Sequence, residues 1–334
     1  MHGWIIIDKP VGPGSTQIVS AVKRALRDGG YPKVKVGHGG TLDPLASGVL
    51  PIALGEATKL AGHMLDADKV YEFTVRFAEE TSTLDLEGEV VATSDVRPTL
   101  NEIEAVLPRF TGAIEQVPPA YSALKVEGKR AYDLARAGEE VELAGRRVIV
   151  WQLSILPCSQ GRGTAEGGGG AAVADGGLRP PPLHHAAHGP PPLQAGEDQV
   201  TLSARVSKGT YIRSLARDLA RALGTVGHVS MLRRTKAGPF TLASAISLDK
   251  LTQLAMAREL EQALLPLTAG LDDIPALPVT PDQASALRQG RRLVGIAAKP
   301  GLHLATDQSV PVALVEASGD ELRPELRVVR GFNL

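Results

Sequence analysis

A single cysteine, Cys158, stands in the whole chain, so no internal disulfide can form and no zinc site can be built on thiolates. Such sparing use of cysteine fits a reducing compartment, and the cytoplasm is the expected setting. Long apolar runs are missing as well, since none approaches the roughly 20 residues of a membrane-spanning helix. The opening "MHGWIIIDKP" has no basic leader and no small-residue cleavage site, and it reads as a first strand rather than a signal peptide. Net charge is almost absent, at a formal −1, which by itself points to no anionic partner.

What is present is ordinary globular composition, 43% hydrophobic and 22% charged, over 334 residues, enough for two domains. The charges are unevenly placed. Between Ser203 and Phe240 there are eight basic residues (Arg205, Lys208, Arg213, Arg217, Arg221, Arg233, Arg234, Lys236) against the one acid Asp218. Between Asp66 and Glu104 eleven acids face three bases. A basic segment of this kind is read either as a footprint for phosphates or as a solvated helix face.

Apolar spacing gives the coarse organisation. "WIIID" predicts a buried strand, and Ser15 is placed to cap a helix with Ile18, Val19, Val22, Ala25 and Leu26 on one stripe. "GVLPIAL" predicts a second buried strand and Glu56–Leu65 a short helix. "KVYEFTVRF" alternates, with Tyr71, Phe73, Val75 and Phe77 on one face. Helices are expected at 99–109 and 129–138, and strands in "RRVIVWQLSIL", "DQVTLSARV" and "GHVSMLRRT". Leu215, Leu219, Ala222 and Leu223 mark a helix that Gly224 ends. Residues 159–198 break the pattern: ten glycines and six prolines in 40 residues predict a flexible insertion. It carries His184, His185 and His188, whose tract is a poor frame for a metal. From "IPALPVTP" onward a helix at Pro281–Gln289 and several short strands suggest a small β-rich unit.

Four places draw chemical interest. Asp43 lies in "VGHGGTLDPLASG" between Gly37, Gly39 and Gly40 and the rigid Pro44; read alone, its carboxylate also fits an Asx turn capping its own loop. A metal built on His38 and Asp43 lacks a third ligand, and the glycine spacing matches neither nucleotide-binding loop. Arg213 sits where a strand turns into a helix in "SKGTYIR", a position equally open to a surface arginine. Tyr71 fits core packing as readily as ligand stacking. "VPPAYSALKVEGKRAYDLARAG" runs from a Pro-Pro loop, past Lys125, into a basic helix that suits either RNA backbone or plain structure.

Taken together, "IIIDKPVGPGST", "VGHGGTLDPLASGVLPIALGEATKL", "DKVYEFTVRF", "VPPAYSALKVEGKRAYDLARAG", "SKGTYIRSLARDLARALG" and "HVSMLRRTKAGPF" follow one another as they do in TruB-type tRNA pseudouridine-55 synthases. The chain resembles that family over residues 3–250 apart from the 159–198 insertion, and more weakly to the "RVVRGFNL" ending. The resemblance implies an α+β fold. A pseudouridine synthase catalytic domain over 1–275 would hold a central mixed, largely antiparallel sheet flanked by helices and loops. A small PUA-like RNA-binding β-barrel would occupy 276–334. It implies Asp43 as nucleophile, Tyr71 as the aromatic that stacks on the base and takes part in proton transfer, and Arg213 as the ion-pair partner of Asp43. His38 would stand at the entrance, Leu232 would line the base pocket, and Lys9 with Pro10 would support the active-site loop. Lys9, Lys125, Lys208, Arg233 and Arg234 are grouped as RNA-binding residues. The implied partner is the T arm of tRNA, met by a monomer with no cofactor, metal or membrane. Gly14 and Ala78 depart from the family's pattern, which has threonine or serine at the first and glycine at the second.

A non-catalytic tRNA-binding protein or folding chaperone would need only the basic segment and the C-terminal unit. A guide-RNA-directed synthase of the same fold is the other rival, and a metal-dependent hydrolase a distant one. The chemistry of uracil rotation asks for one carboxylate that acts covalently and for a pocket that retains the freed base. Attack at the sugar C1′, attack at uracil C6 and glycal formation are all compatible with a lone aspartate.

Overall fold

Trp4 to Ile7 alternate between two cores. The computed structural model describes residues 1–157, 198–319 and 324–334, except Ala123, Glu127, Glu140 and Glu142. Ile5 and Ile7 face Ile18 and Val22 of helix Ser15–Asp28 and Leu251 and Leu254 of helix Leu248–Ala257. Trp4 and Ile6 face Val49, Ala53, Phe240 and Leu267. Fully burying one such side chain is worth about 1.5–3 kcal/mol, so this strand, covered on both faces, anchors the sheet.

The sheet is mixed and largely antiparallel, in line with the fold implied above. Its main path runs Ala245–Ile246, Gly3–Lys9, Ala46–Leu54, Gly227–Ala237, Lys69–Phe77, Gln199–Val206, Arg146–Ile155, Gly112–Gln116. Along that path the first pairing and the one between Ala46–Leu54 and Gly227–Ala237 are parallel. Phe73, Val75 and Phe77 share a core with Leu202 and with Leu215 and Leu219 of helix Ile212–Ala222, as the alternation and the helical stripe predict. That helix ends at Gly224, whose φ of +72° is the left-handed conformation glycine adopts without strain.

Register places the site. Strand Gly227–Ala237 lies between two neighbours, so Leu232 is opposite both Ala46 and Phe73, and Arg234 is opposite both Gly48 and Tyr71. The loop carrying Asp43 feeds directly into Ala46, and it therefore arrives beside Leu232 and near Tyr71.

The C-terminal unit is a five-stranded half-barrel sheet with helix Pro281–Arg288 against it. Leu304, Leu314 and Phe332 extend from it into the core around Trp4. Lys59 donates to the Gly331 carbonyl at 2.9 Å, and Glu56 accepts from the Asn333 N–H at 2.8 Å, which ties the chain's end to the catalytic part. Cys158, His184, His185 and His188 lie outside the described residues, as does nearly all of the glycine/proline-rich segment. Among the described residues no helix is long and apolar enough to cross a membrane.

One helix start differs from expectation. The cap of Ser15–Asp28 is Gly14, not Ser15, and the Gln17 side chain accepts from the Gly14 N–H at 2.7 Å. The Ser15 hydroxyl is engaged elsewhere, accepting from Leu42 N–H at 2.8 Å and donating to Leu42 O at 3.0 Å.

Candidate active site

Three buried side chains hold the Asp43 loop by its backbone. Lys9 Nζ donates to Pro10 O, Pro13 O and Pro44 O at 2.9, 2.8 and 3.2 Å. Arg234 donates to Val49 O, Thr41 O and Gly40 O at 2.8, 3.2 and 3.2 Å. With Ser15 on Leu42, carbonyls on both sides of Asp43 are fixed. The turn therefore does not depend on the Asp43 side chain, and among the described residues that carboxylate forms an ion pair with Arg213.

Arg213 is 6% exposed and anchored on four oxygens. Its Nη2 lies 2.9 Å from Asp43 Oδ2 and donates to Tyr121 O at 3.0 Å. Its Nη1 donates to Thr83 O at 2.8 Å and lies 3.3 Å from Asp85 Oδ2. The planar fork suits this double engagement, which a lysine would not reproduce. Of the two acids Asp43 is much the more exposed, with 41% of its side chain open to solvent against 11% for Asp85. Asp85 in turn accepts from the Thr83 hydroxyl and from the Glu87 N–H. The sequence reading missed Asp85. It is one of eleven acids in its stretch, and only its place after "TST" marks it.

These groups line a cleft of about 1450 Å³ with Tyr71, His38, Leu232 and Lys69. Tyr71 packs against the two cores that meet at the cleft. Burial lowers the His38 pKa below its ordinary value and the Arg234 charge lowers it further, so the ring is neutral at pH 7. Its Nδ1 has no hydrogen-bond partner among the described residues. Lys69 caps helix Ala61–Asp66, donating to Met64 O, Leu65 O and Ala67 O. Burial brings its ammonium down to about 8, with Arg234 adding to the shift and Asp66 opposing it. Lys9 also stands at about 8, lowered by burial against the pull of Asp43.

The structure corrects part of the RNA-binding group. Lys9 is 0% and Arg234 1% exposed, and both cations hold loop carbonyls, so neither reaches a phosphate. Arg233 is tied to Asp8 at 2.9 Å, and the exposed Lys208 to Asp66 at 2.9 Å. The Lys125 side chain lies outside the described residues. The acidic and basic segments of the sequence meet in the fold: Lys208 pairs with Asp66, Arg205 with Asp68, Arg221 with Glu80 and Arg213 with Asp85. They lie together because Gln199–Val206 and Gly227–Ala237 flank Lys69–Phe77. Also lining the cleft, Arg130 and Arg136 both sit over Tyr132, 5.7 and 5.6 Å from its ring centre.

The family described as "TruB family pseudouridylate synthase (N terminal domain)" matches residues 27–166, which include Asp43 and Tyr71. A second, "tRNA pseudouridylate synthase B C-terminal domain", matches 213–272, beginning at Arg213. The chain is 56% identical over 333 residues to a tRNA pseudouridine synthase B of Zymomonas mobilis subsp. mobilis, covering 100% of this chain and 96% of that one. It is 58% identical to that of Novosphingobium aromaticivorans, covering 100% and 98%. Among solved structures, one chain of a Cbf5–Nop10–Gar1 complex superposes with a TM-score of 0.68 at 25% identity, covering 99% of this chain and 84% of that one. A chain of an H/ACA RNP bound to a substrate RNA gives 0.67 at 24%, a likeness of fold, covering 99% and 85%. With its two matched regions carrying the Asp43, Tyr71 and Arg213 segments, the chain belongs to the TruB family of pseudouridylate synthases.

Proposed function

We propose that this protein converts uridine 55 in the T loop of tRNA to pseudouridine, with Asp43 as the only carboxylate that reacts. The observation that carries the reading is the pairing of a solvent-facing Asp43 with a buried Arg213 on the wall of a cleft large enough for an extruded nucleotide. The relatives' printed name, tRNA pseudouridine synthase B, supports tRNA as the substrate.

The reaction is an isomerisation. The N1–C1′ bond breaks, the uracil turns, a C5–C1′ bond forms, and the proton lost from C5 is balanced by one gained at N1. Asp43 supports this either as a nucleophile on C1′ or C6, or by assisting a glycal, while Arg213 fixes which carboxylate oxygen faces the base. Tyr71 offers a stacking face worth about 1–3 kcal/mol, which offsets part of the few kcal/mol needed to extrude a base. In this reading Tyr71 also takes part in moving the C5 proton. Leu232 keeps the pocket wall apolar, and a neutral His38 packs against neighbouring nucleotides at the entrance. Lys9 and Arg234 set the loop rather than the RNA. Lys125, Lys208 and Arg233 remain on the RNA side of this reading, joined by Arg130 and Arg136, cleft-lining cations that sit over the Tyr132 ring.

A T-arm stem-loop carrying tritium at uridine C5 tests this. Stoichiometric tritium release from the wild-type RNA, and none when uridine 55 is replaced by cytidine, is the expected result. Release that does not depend on position 55 would overturn the assignment of the site. Tight binding without release would favour a non-catalytic tRNA-binding role.

A further inference from the structure

Two residues facing each other across the edge of the sheet hold the corner that carries Arg213. Gln116 and Arg146 are register partners on strands Gly112–Gln116 and Arg146–Ile155. The Gln116 side chain is buried and grips the Tyr211 backbone at both ends. Its Nε2 donates to Tyr211 O at 3.0 Å, and its Oε1 accepts from Tyr211 N–H at 2.7 Å. It thereby does for one residue what a neighbouring strand would do.

Arg146 holds the same residue by its ring, with Cζ 4.7 Å from the ring centre. Its Nε and Nη2 are buried and have no hydrogen-bond partner among the described residues, which leaves the aromatic face as the contact for that part of the guanidinium. The turn behind it is tied down too: Ser207 N–H donates to Ile149 O at 2.8 Å, and the Ser207 hydroxyl accepts from Ile149 N–H at 2.9 Å.

Tyr211 is the residue before helix Ile212–Ala222 and provides no side-chain cap. The helix start therefore has no cap of its own to fix the angle at which it leaves the strand. That angle aims Arg213, two residues on, at Asp43. Gln116 and Arg146 do not line the cleft, whereas Tyr211 and Arg213 do.

We propose that Gln116 and Arg146 are positioning residues that act through Tyr211, holding Arg213 so that Asp43 meets the nucleotide in reacting geometry. The inference rests on Asp43 and Arg213 forming the reacting centre, as proposed above. A displacement of about 1 Å in a reacting group can cost on the order of 100-fold in rate, and a device outside the cleft would do so without touching RNA.

The test uses full-length protein and a T-arm RNA with Gln116→Met, Arg146→Met, Arg146→Lys and the Gln116→Met/Arg146→Met double variant. For Gln116→Met the expected kcat loss is about 10- to 100-fold, with KM and RNA affinity within about threefold. Arg146→Met loses rate in the same way, and Arg146→Lys recovers part of it because an ammonium still sits over the ring. The double variant loses less than the product of the single losses, because both act on one corner. Wild-type kcat in the folded single variants, multiplying losses in the double, or a KM rise matching the kcat loss overturns the inference. If Gln116→Met does not fold, equal rates for Arg146→Met and Arg146→Lys overturn it. Turnover by Asp43→Asn would instead defeat the reading of the centre. An inactive Asp43→Asn beside a fully active Gln116→Met defeats only this inference.

Discussion

Asp85 offers the sharpest test of how the centre is built. Its carboxylate, 11% exposed, lies 3.3 Å from Arg213 Nη1, whereas Asp43 meets Nη2. Removing one partner of a buried ion pair costs about 3–5 kcal/mol when the remaining charge is stranded. In Asp85→Asn the charge is not stranded, because Arg213 keeps Asp43, Thr83 O and Tyr121 O. The amide also retains an acceptor, so the loss falls at or below the low end of that range, and about 2–3 kcal/mol is the working figure. For a chain of this size that is a fall in Tm of roughly 3–4 °C. The guanidinium also loses the carboxylate that anchors its other Nη, and the single-turnover rate should fall about 10- to 100-fold. RNA affinity should hold within about threefold, since Asp85 is nearly buried. Thermal unfolding, tritium release and filter binding on the same preparation measure all three. An unchanged Tm with an unchanged rate would refute the account of Arg213 anchored on two acids. A rate loss explained entirely by weaker RNA binding would refute it as well.

Further expectations follow from the loop and its neighbours. Gly48 has a φ of +103°, and a Cβ there would lie 2.2 Å from the Arg234 carbonyl. Gly48→Ala should therefore cost about 1–3 kcal/mol in backbone strain and about 1–3 more in overpacking; an unchanged urea midpoint would contradict this. Lys9 titrates near 8 when folded against an ordinary 10.5, so between those values the native state binds fewer protons than the unfolded one and stability rises with pH. Lys9→Met should flatten that rise and lower stability at pH 7, as urea titrations across the window would show; identical pH slopes would count against it. Ala78, buried, sits at a φ of +75° where the family's pattern has glycine. Relief of about 1–2 kcal/mol of left-handed strain in Ala78→Gly should offset the gain of about 0.4–1 kcal/mol in unfolded-chain entropy and the lost methyl burial of about 0.8 kcal/mol. The midpoint should accordingly move by less than about 1 kcal/mol, whereas Ala78→Val should be clearly destabilising.

Local pattern carried much of the fold. The alternation of Tyr71, Phe73, Val75 and Phe77, the stripe of Leu215 and Leu219, and Gly224 at the helix end are all properties of neighbouring residues, and the structure has each in place. Helix Leu248–Ala257 and the hairpin of Glu79–Thr81 with Val90–Thr93 had no prior expectation. The hairpin lies in a charge-rich stretch that hides its period. Charge was the least legible property. A run of eight cations looked like a phosphate grip, yet four of them meet acids of the 66–104 segment, because strand pairing brings the two segments together. Lys9 and Arg234 look the same on the page as any surface cation. Only the fold shows them buried on carbonyls, where an extended reading of the sequence would place them against RNA. Asp85 and Gln116 were unreadable for a related reason: each matters through a partner distant in sequence, and neither changes the local period.

The central claim is that one carboxylate, held by Arg213, suffices for the chemistry at a single uridine. The measurement that meets it most directly is chemical mapping of pseudouridine in an unmodified tRNA after incubation with purified wild-type and Asp43→Asn protein, with no metal or cofactor added. The account predicts one pseudouridine, at position 55, with the wild type. It predicts none with Asp43→Asn, although that variant still binds the tRNA. Pseudouridine formed by Asp43→Asn would contradict it.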